Sequence, residues 1–130
     1  IGLQQADMTD GIKYAGERVA WGRSIGKYQL IQSKVANMAT NLEASRLMTY
    51  KATTMSDNGQ DCVKEATMAK YFATEAACRA ADECTRIFGA YGYSMEYPIQ
   101  RYYRDNRFLL YGGGTHEVLQ TTIAREILKG

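Results

Sequence analysis

The chain has 130 residues, of which 45% are apolar and 23% are charged, and it contains a single proline. These values are typical of one compact domain. Sixteen basic and fourteen acidic residues give a formal net charge of +2, and the basic residues are dispersed, which argues against a nucleic-acid-binding protein. No apolar run approaches the roughly 20 residues of a membrane span, and residues 1–10 lack the basic and apolar regions of a secretory signal.

Cysteine content and the first residues add two expectations. Cys62, Cys78 and Cys84 are an odd number of cysteines without CxxC spacing. We therefore expect neither a disulfide framework nor a metal site, and we expect a reducing compartment. The chain starts with Ile1, and its opening residues resemble the middle of an element. We expect it to be a piece of a longer protein.

Two helices are predicted in the first half of the chain. Helical spacing predicts the first over residues 3–20, with a core face made of Met8, Ile12, Ala15 and Val19. Gly22, Ser24 and Gly26 then predict a turn between helices. The second helix is predicted over residues 28–55, with a buried stripe made of Ile31, Val35, Met38 and Leu42.

The second half of the chain is predicted to complete a bundle. A third helix is predicted over residues 61–88, capped by Asp61, with a face of mostly small side chains: Ala66, Ala69, Ala73, Ala76, Ala80, Cys84 and Ile87. A glycine- and aromatic-rich segment follows, then a short helix over residues 99–106 and a last helix that starts at residue 115 or 116 and ends near residue 128. We therefore predict one all-α domain over residues 1–130, an up-down four-helix bundle whose fourth helix is built from the C-terminal pieces.

Residues that could carry chemistry are few. The single histidine, His116, has no acid and nucleophile beside it in sequence. Residues 112–114 are three glycines without the lysine and hydroxyl residue of a phosphate loop. They lead directly into the last helix, whose first N–H groups would attract an anion. The glycines also fit a helix entry that needs unusual dihedral angles, and the sequence leaves both interpretations open.

Arg18 also allows two interpretations. It lies near the predicted end of the first helix, where a cation complements the helix dipole. Alternatively, its guanidinium points at a phosphate, with the ring of Trp21 beside it.

Three segments together resemble the C-terminal domain of acyl-CoA dehydrogenases. They are, in order, YAGERVAWGRSIGKYQLIQSKVANMA, RIFGAYGYSMEYPIQRYYRDNR and GGTHEVLQTTIAREIL. The resemblance covers essentially all 130 residues and implies a four-helix bundle that follows an N-terminal helical domain and a middle β-domain.

The resemblance also implies a function. FAD would lie between the domains, with its adenine half reaching a neighbouring subunit of a homodimer or homotetramer. The full-length enzyme would oxidise an acyl-CoA thioester at Cα–Cβ, or reduce an enoyl-CoA in the reverse direction, and would exchange electrons with an electron-transfer flavoprotein. Its compartment would be a bacterial cytoplasm or the mitochondrial matrix. The alternative is a non-catalytic helical oligomerisation module of the same fold.

The resemblance assigns FAD contacts residue by residue. Arg18 matches a pyrophosphate-binding arginine, and Trp21 stands where a phenylalanine is usual. The other matching positions are Gln29, Arg86, Gly89, Ala90, Gly114, Thr115, His116 and Glu117. Of these, Ala90 stands where glycine is common, and Arg86 replaces a frequent glutamine.

Gly113 departs from the family pattern, because many members carry their catalytic glutamate at this position. Removal of the α-proton needs a base, and glycine has no side chain that could serve as one. No catalytic residue is therefore assigned within the chain. The glutamate could lie on the helix before Ile1, as in the isovaleryl- and long-chain-type branches. The protein could instead resemble the crotonobetainyl-CoA reductase type, which has a small residue here. The remaining possibilities are an engineered replacement and a member that has lost dehydrogenation.

Overall fold

The computed structural model describes residues 1–129, and most of them are helical. The elements, in chain order, are α1 (Gly2–Glu17), β1 (Val19–Ala20), β2 (Arg23–Ser24), a 3-10 turn (Ile25–Lys27), α2 (Gln29–Asp57), α3 (Val63–Phe88), α4 (Ala90–Tyr93), α5 (Ile99–Phe108) and α6 (His116–Leu128). The prediction of an all-α bundle is confirmed. Over residues 1–129, no helix has both the length and the apolar character needed to cross a membrane.

Helix α3 is the centre of the bundle, since α1, α2, α5 and α6 all pack against it. Its predicted face of small side chains is buried from Ala69 to Ile87, apart from partial exposure at Ala73, whereas Ala66 is exposed. Small side chains allow helix axes to approach closely. On α1, a Cβ added at Gly11 would lie 3.4 Å from the Cys84 sulfur.

The directions of the helices follow from pairs of contacts. Along α2 and α3, the ion pairs Lys34–Glu83 and Lys51–Glu65 run in opposite order, so these two helices are antiparallel. His116 contacts Glu75 and Gln120 contacts Tyr71, which makes α6 antiparallel to α3 as well. α5 and α6 pack on α3 as two separate helices.

The predicted core face of α1 is wrong in part. Of its four residues only Ala15 is buried; Met8 is partly buried, and Ile12 and Val19 are 47% and 60% exposed. The buried face of α1 consists of Gln4, Asp7, Gly11 and Ala15.

Hydrogen bonds to the other helices compensate the polar residues of this face in part, although Gln4 Oε1, Asp7 Oδ1 and Asn106 Oδ1 have no partner among residues 1–129. The Gln4 amide donates to the Ser45 hydroxyl at 3.1 Å and to the Ala73 carbonyl at 2.9 Å. The Asn106 amide donates to the Asp7 carboxylate at 3.0 Å. Hydropathy alone does not reveal such pairing, since it is set by residues far apart in sequence.

Several predicted helix boundaries and packing positions also differ from those in the structure. α1 ends at Glu17, and a two-stranded hairpin replaces the rest of the predicted helix. Cys62, not Asp61, is the N-cap of α3, although the Asp61 carboxylate accepts the Val63 N–H at 3.1 Å. In α6, Leu119 is buried, whereas Ile127 is 60% exposed.

Asp7 makes the stability of the protein depend on pH. Burial raises the pKa of this carboxyl to about 7, although the Asn106 hydrogen bond opposes the shift. Between about pH 4 and pH 7 the folded protein therefore keeps a proton that the unfolded chain releases. The free energy of unfolding should fall by a few kcal/mol as the pH rises through this window, at roughly 1.4 kcal/mol per unit of pKa difference, and should level off above it.

The comparison of Asp7→Asn with wild type by urea unfolding at about pH 5 and about pH 8 tests this expectation. The asparagine can still accept the Asn106 amide proton, so the variant should lose most of the pH dependence. Asp57→Asn, at the exposed end of α2, is the matched control and should keep the wild-type slope. An unchanged slope in Asp7→Asn would show that Asp7 does not hold the extra proton.

Ala80→Leu should destabilise the protein by roughly 1–3 kcal/mol, because overpacking a filled core forces neighbouring side chains to shift. Ala80 is 3% exposed and belongs to the main core cluster. Ala66→Leu makes the same change at an exposed site of the same helix and should have little effect. Equal stability of the two variants in thermal unfolding would contradict the orientation of α3.

Candidate functional site

A tight hairpin after α1 presents Trp21 to solvent. Ala20 pairs with Arg23, so Trp21 and Gly22 form a two-residue loop. Their φ angles are +49° and +81°, as the hairpin turns that match strand twist require. A positive φ is strained for a bulky residue such as tryptophan, and this one is 90% exposed. Strain together with exposure marks Trp21 as a candidate for binding rather than for packing.

Tyr28 supports the hairpin from below. Its hydroxyl donates to the Ala20 carbonyl at 2.8 Å, and its ring meets the Trp21 ring edge-on at 5.8 Å between centroids. The Arg23 guanidinium lies 4.2 Å from the centre of the Tyr28 ring. The strained tip is therefore held by a hydrogen bond, an aromatic contact and a cation–π contact.

An open groove of about 840 Å³ lies between the hairpin, the start of α2 and the end of α3. Six of the ten residues that the resemblance assigned to FAD line it: Arg18, Trp21, Gln29, Arg86, Gly89 and Ala90. The structure thus brings together residues that lie up to 72 positions apart in sequence.

Cations and aromatic rings dominate the chemistry of this groove. Arg18 and Arg23 have no carboxylate within ion-pair distance among residues 1–129. The Arg18 guanidinium lies 5.7 Å from the centre of the Tyr91 ring. Guanidinium groups bind phosphates with two parallel hydrogen bonds, and aromatic faces stack on planar rings. The groove therefore fits a phosphate-bearing, ring-containing cofactor.

The end of α3 forms the far wall of the groove. Gly89 lies between α3 and α4 with a φ of +61°, and this left-handed conformation ends α3. Arg86 is less free than Arg18, because its Nε atom donates to the Asp82 carboxylate at 2.7 Å. This ion pair raises the pKa of Arg86 through the hydrogen bond.

The four remaining assigned residues form a second surface at the start of α6. Gly114 has a φ of +104°, Thr115 is the N-cap, and His116 begins the helix. The pKa of the Glu117 carboxyl is lowered by hydrogen bonds from the Glu117 backbone N–H and from the Thr115 side chain.

His116 is held on both ring nitrogens. Its Nδ1 atom lies 2.9 Å from the Glu75 carboxylate, and its Nε2 atom lies 2.8 Å from the Thr74 hydroxyl. The Tyr71 ring packs against the imidazole at 5.0 Å between centroids. His116 therefore anchors the first turn of α6 to α3.

The glycine segment before α6 lies against Lys70 of α3. The Lys70 ammonium donates to the Gly112 carbonyl. A Cβ added at Gly113, whose φ is +76°, would lie 3.1 Å from the Lys70 nitrogen. The position that carries a glutamate in many members of the resembling family is here a left-handed glycine beside an ammonium group.

The two surfaces do not meet within one copy of the chain. Ile87 lies in the groove, whereas Glu75 contacts the start of α6, twelve residues earlier on the same helix. At 1.5 Å per residue these positions are roughly 18 Å apart along α3.

Sequence reasoning missed part of both surfaces. Arg23, Tyr28 and Tyr91 line the groove, and Lys70 and Glu75 support the start of α6. A Trp-Gly pair between two short segments is compatible with a two-residue hairpin loop. The predicted first helix extends to residue 20, however, and therefore includes the residues of β1. Nothing local in sequence marks Lys70 or Glu75.

Comparisons with known proteins identify relatives of this chain. The family model described as the acyl-CoA dehydrogenase C-terminal domain matches residues 1–128. Benzylmalonyl-CoA dehydrogenase of Aromatoleum aromaticum is 46% identical over 98% of this chain and 34% of its own length. The 3-(aryl)acrylate reductase of Clostridium sporogenes is 44% identical over 99% of this chain and 34% of its own length. The chain thus spans about a third of these curated relatives.

Solved structures agree with the sequence relatives. Butyryl-CoA dehydrogenase from Megasphaera elsdenii superposes with a TM-score of 0.96 at 35% identity, over 98% of this chain and 33% of that one. The FAD complex of PigA superposes with a TM-score of 0.93 at 26% identity, over 98% of this chain and 33% of that one. The chain belongs to the acyl-CoA dehydrogenase family and corresponds to its C-terminal domain.

Proposed function

We propose that the full-length protein is an FAD-dependent oxidoreductase of acyl-CoA thioesters and that this domain supplies two sets of flavin contacts. The observation that carries the proposal is the groove in which Arg18, with no carboxylate partner in residues 1–129, lies beside exposed aromatic rings. Arg18 would hold the pyrophosphate, and Trp21 would cover a planar part of the cofactor. The flavin, when bound, accepts the hydride that leaves the substrate β-carbon.

The two surfaces would serve different flavin molecules. A distance of roughly 18 Å along α3 separates the groove from the start of α6. Because the family resemblance implies that the adenine half of FAD reaches a neighbouring subunit, we infer that the groove of one copy and the Gly114–Glu117 segment of a second copy contact the same FAD. A homodimer or homotetramer satisfies this requirement. The start of α6 would hold its cofactor through backbone N–H groups, which His116 keeps in place by its contacts with Thr74 and Glu75.

The catalytic base would come from outside residues 1–129, because Gly113 offers no side chain. A glutamate on the preceding helix and the reductase-type arrangement both remain compatible with this domain. Electrons would pass to or from an electron-transfer flavoprotein, in a bacterial cytoplasm or in the mitochondrial matrix.

The alternative of a non-catalytic oligomerisation module is based on the small-residue face of α3 and on the missing base at Gly113. Ala69, Ala76 and Ala80 are buried within a single copy of the chain, so this face is not available as an interface. Flavin bleaching on addition of an acyl-CoA to the full-length protein would exclude the module, whereas a protein that never retains flavin would favour it.

Arg18→Ala should weaken FAD binding to the full-length protein by roughly tenfold or more, since it removes a charge-assisted hydrogen bond to the phosphates. Helix content should stay unchanged, because Arg18 is exposed and lies after the end of α1. Equilibrium dialysis of the apoprotein measures the affinity, and circular dichroism measures the helix content. Arg125→Ala, at an exposed site of α6, is the control and should bind FAD as wild type does. Equal FAD affinity of the two variants would show that Arg18 and the groove are not part of the FAD-binding site.

Trp21→Asn should separate function from stability. Asparagine tolerates a positive φ, and Asn-Gly suits this turn, so the variant should be more stable by about 1 kcal/mol. It should also bind FAD more weakly, because the ring is lost. Trp21→Phe keeps a ring and the strain, and should retain both properties of the wild type. Thermal unfolding and FAD titration test the two effects; a variant with unchanged FAD affinity would show that Trp21 does not contact the cofactor.

A further inference from the structure

A buried carboxyl and a buried carboxamide meet between α1 and α5. Asp7 and Asn106 are both 0% exposed, and the Asn106 amide donates to Asp7 Oδ2 at 3.0 Å. The other oxygen of each side chain, Asp7 Oδ1 and Asn106 Oδ1, has no hydrogen-bond partner among residues 1–129. No basic side chain in that part of the chain lies within ion-pair distance of Asp7. An ionised Asp7 would therefore be a buried charge with a single hydrogen bond, which is costly.

One proton on Asp7 accounts for both oxygens that lack a partner. A protonated carboxyl has a hydroxyl donor beside its acceptor oxygen, and a carboxamide has the complementary acceptor and donor. When the two groups meet edge to edge, they form two reciprocal hydrogen bonds. The bond from Asn106 to Asp7 is the first of these, and the two free oxygens are the atoms that the second would join. Exchanging the nitrogen and oxygen of Asn106 leads to the same conclusion, because two oxygens 3.0 Å apart also need a proton between them.

Helix α3 holds the backbone of the same two residues. The Cys84 thiol donates to the Asp7 carbonyl at 3.1 Å, and the Cys78 thiol donates to the Asn106 carbonyl at 3.3 Å. Burial raises the pKa of both thiols, so they keep their protons near neutral pH. The pair of Asp7 and Asn106 is thus the side-chain part of a junction that joins α1, α3 and α5.

Titratable groups from each neighbouring helix leave Asp7 without a positive charge beside it. They are Asp10 on α1 itself, Arg46 on α2, Cys84 on α3 and Tyr102 on α5. Arg46 contacts α1 at Gln5 and not at Asp7. Cys84 and Tyr102 stay uncharged, since burial raises the pKa of each. Burial also raises the pKa of Asp7 to about 7; the Asn106 bond lowers it, and Asp10 raises it.

We propose that Asp7 holds a proton, donates it to Asn106 Oδ1 and thereby fastens α5 to α1, so that the two residues form a pH-sensitive latch. Without the proton, the Asp7 carboxylate and the Asn106 oxygen are both acceptors and repel each other, and α5 separates from α1 more readily. Residues 109–115 connect α5 directly to α6. Opening of the latch therefore also loosens the glycine segment in front of α6.

The latch should open more often as the pH rises. In the open form Asp7 meets water and ionises with an ordinary pKa of about 4, whereas the closed form keeps its proton up to about pH 7. The closed form is thus most favoured below about pH 4, and each pH unit between about 4 and 7 raises the open fraction about tenfold. Above this window both forms are ionised and the open fraction levels off.

Hydrogen exchange of the full-length protein, followed by mass spectrometry, tests the latch. Protection of α5 relative to α2 in the same sample should fall roughly tenfold or more between about pH 5 and about pH 8. Asp7→Asn replaces the acid by an amide, which can make both hydrogen bonds without a titratable proton, so this ratio should not change with pH. Asp105→Asn, at an exposed site of α5, is the matched control and should behave as the wild type does.

Infrared difference spectra of wild type against Asp7→Asn locate the proton. At about pH 5 the difference should contain the C=O band of a protonated carboxyl, which shifts in deuterated water. A carboxylate band instead would show that a buried water or ion satisfies the two oxygens and would overturn the latch. A wild-type exchange ratio that is independent of pH, or an equal pH dependence in Asp7→Asn, would overturn it too. Neither measurement uses the flavin, so the outcome does not depend on whether the protein binds FAD.

Discussion

Close packing on α3 is the constraint on which the rest of the structure depends. Its small side chains let α1, α2, α5 and α6 contact one helix at the same time. A rigid α3 then fixes two remote places at once. Its C-terminal end, at Ile87 and Phe88, forms a wall of the groove, and its middle holds the start of α6 through Lys70 and Glu75. Substitutions that enlarge this face should therefore disturb both surfaces together.

Buried polar contacts give the bundle its register. Gln4 joins α1 to α2 and α3, Asn106 joins α5 to Asp7 on α1, and the Cys84 thiol donates to the Asp7 carbonyl at 3.1 Å. Apolar packing alone tolerates sliding between helices, whereas a buried hydrogen bond is lost when a helix shifts. Burial also raises the pKa of the Cys84 thiol, which agrees with a packing role for this cysteine.

The sequence predicted the helices well and their contacts less well. Periodicity located α2, α3 and α6 within a few residues, because these helices have an apolar or small face that repeats with the helical period. It failed on α1, whose buried face includes Gln4 and Asp7, since their partners Ser45 and Asn106 are 41 and 99 residues away. It also missed the hairpin, where the strain at Trp21 is visible only in the backbone. The assignments of Arg18 and His116 came from family motifs, and the distance between them only from the fold.

The two surfaces of the candidate site, the groove and the start of α6, differ in how firmly other residues of the chain hold them in place. The groove is an exposed surface in which Arg18 and Arg23 have no carboxylate partner among residues 1–129, whereas Arg86 pairs with Asp82. The start of α6 is held against α3 by contacts with Lys70, Thr74 and Glu75. Preorganised backbone lowers the entropic cost of binding, whereas an exposed aromatic tip such as Trp21 favours association. The start of α6 is thus held by side chains of α3, whereas the groove is open at the surface.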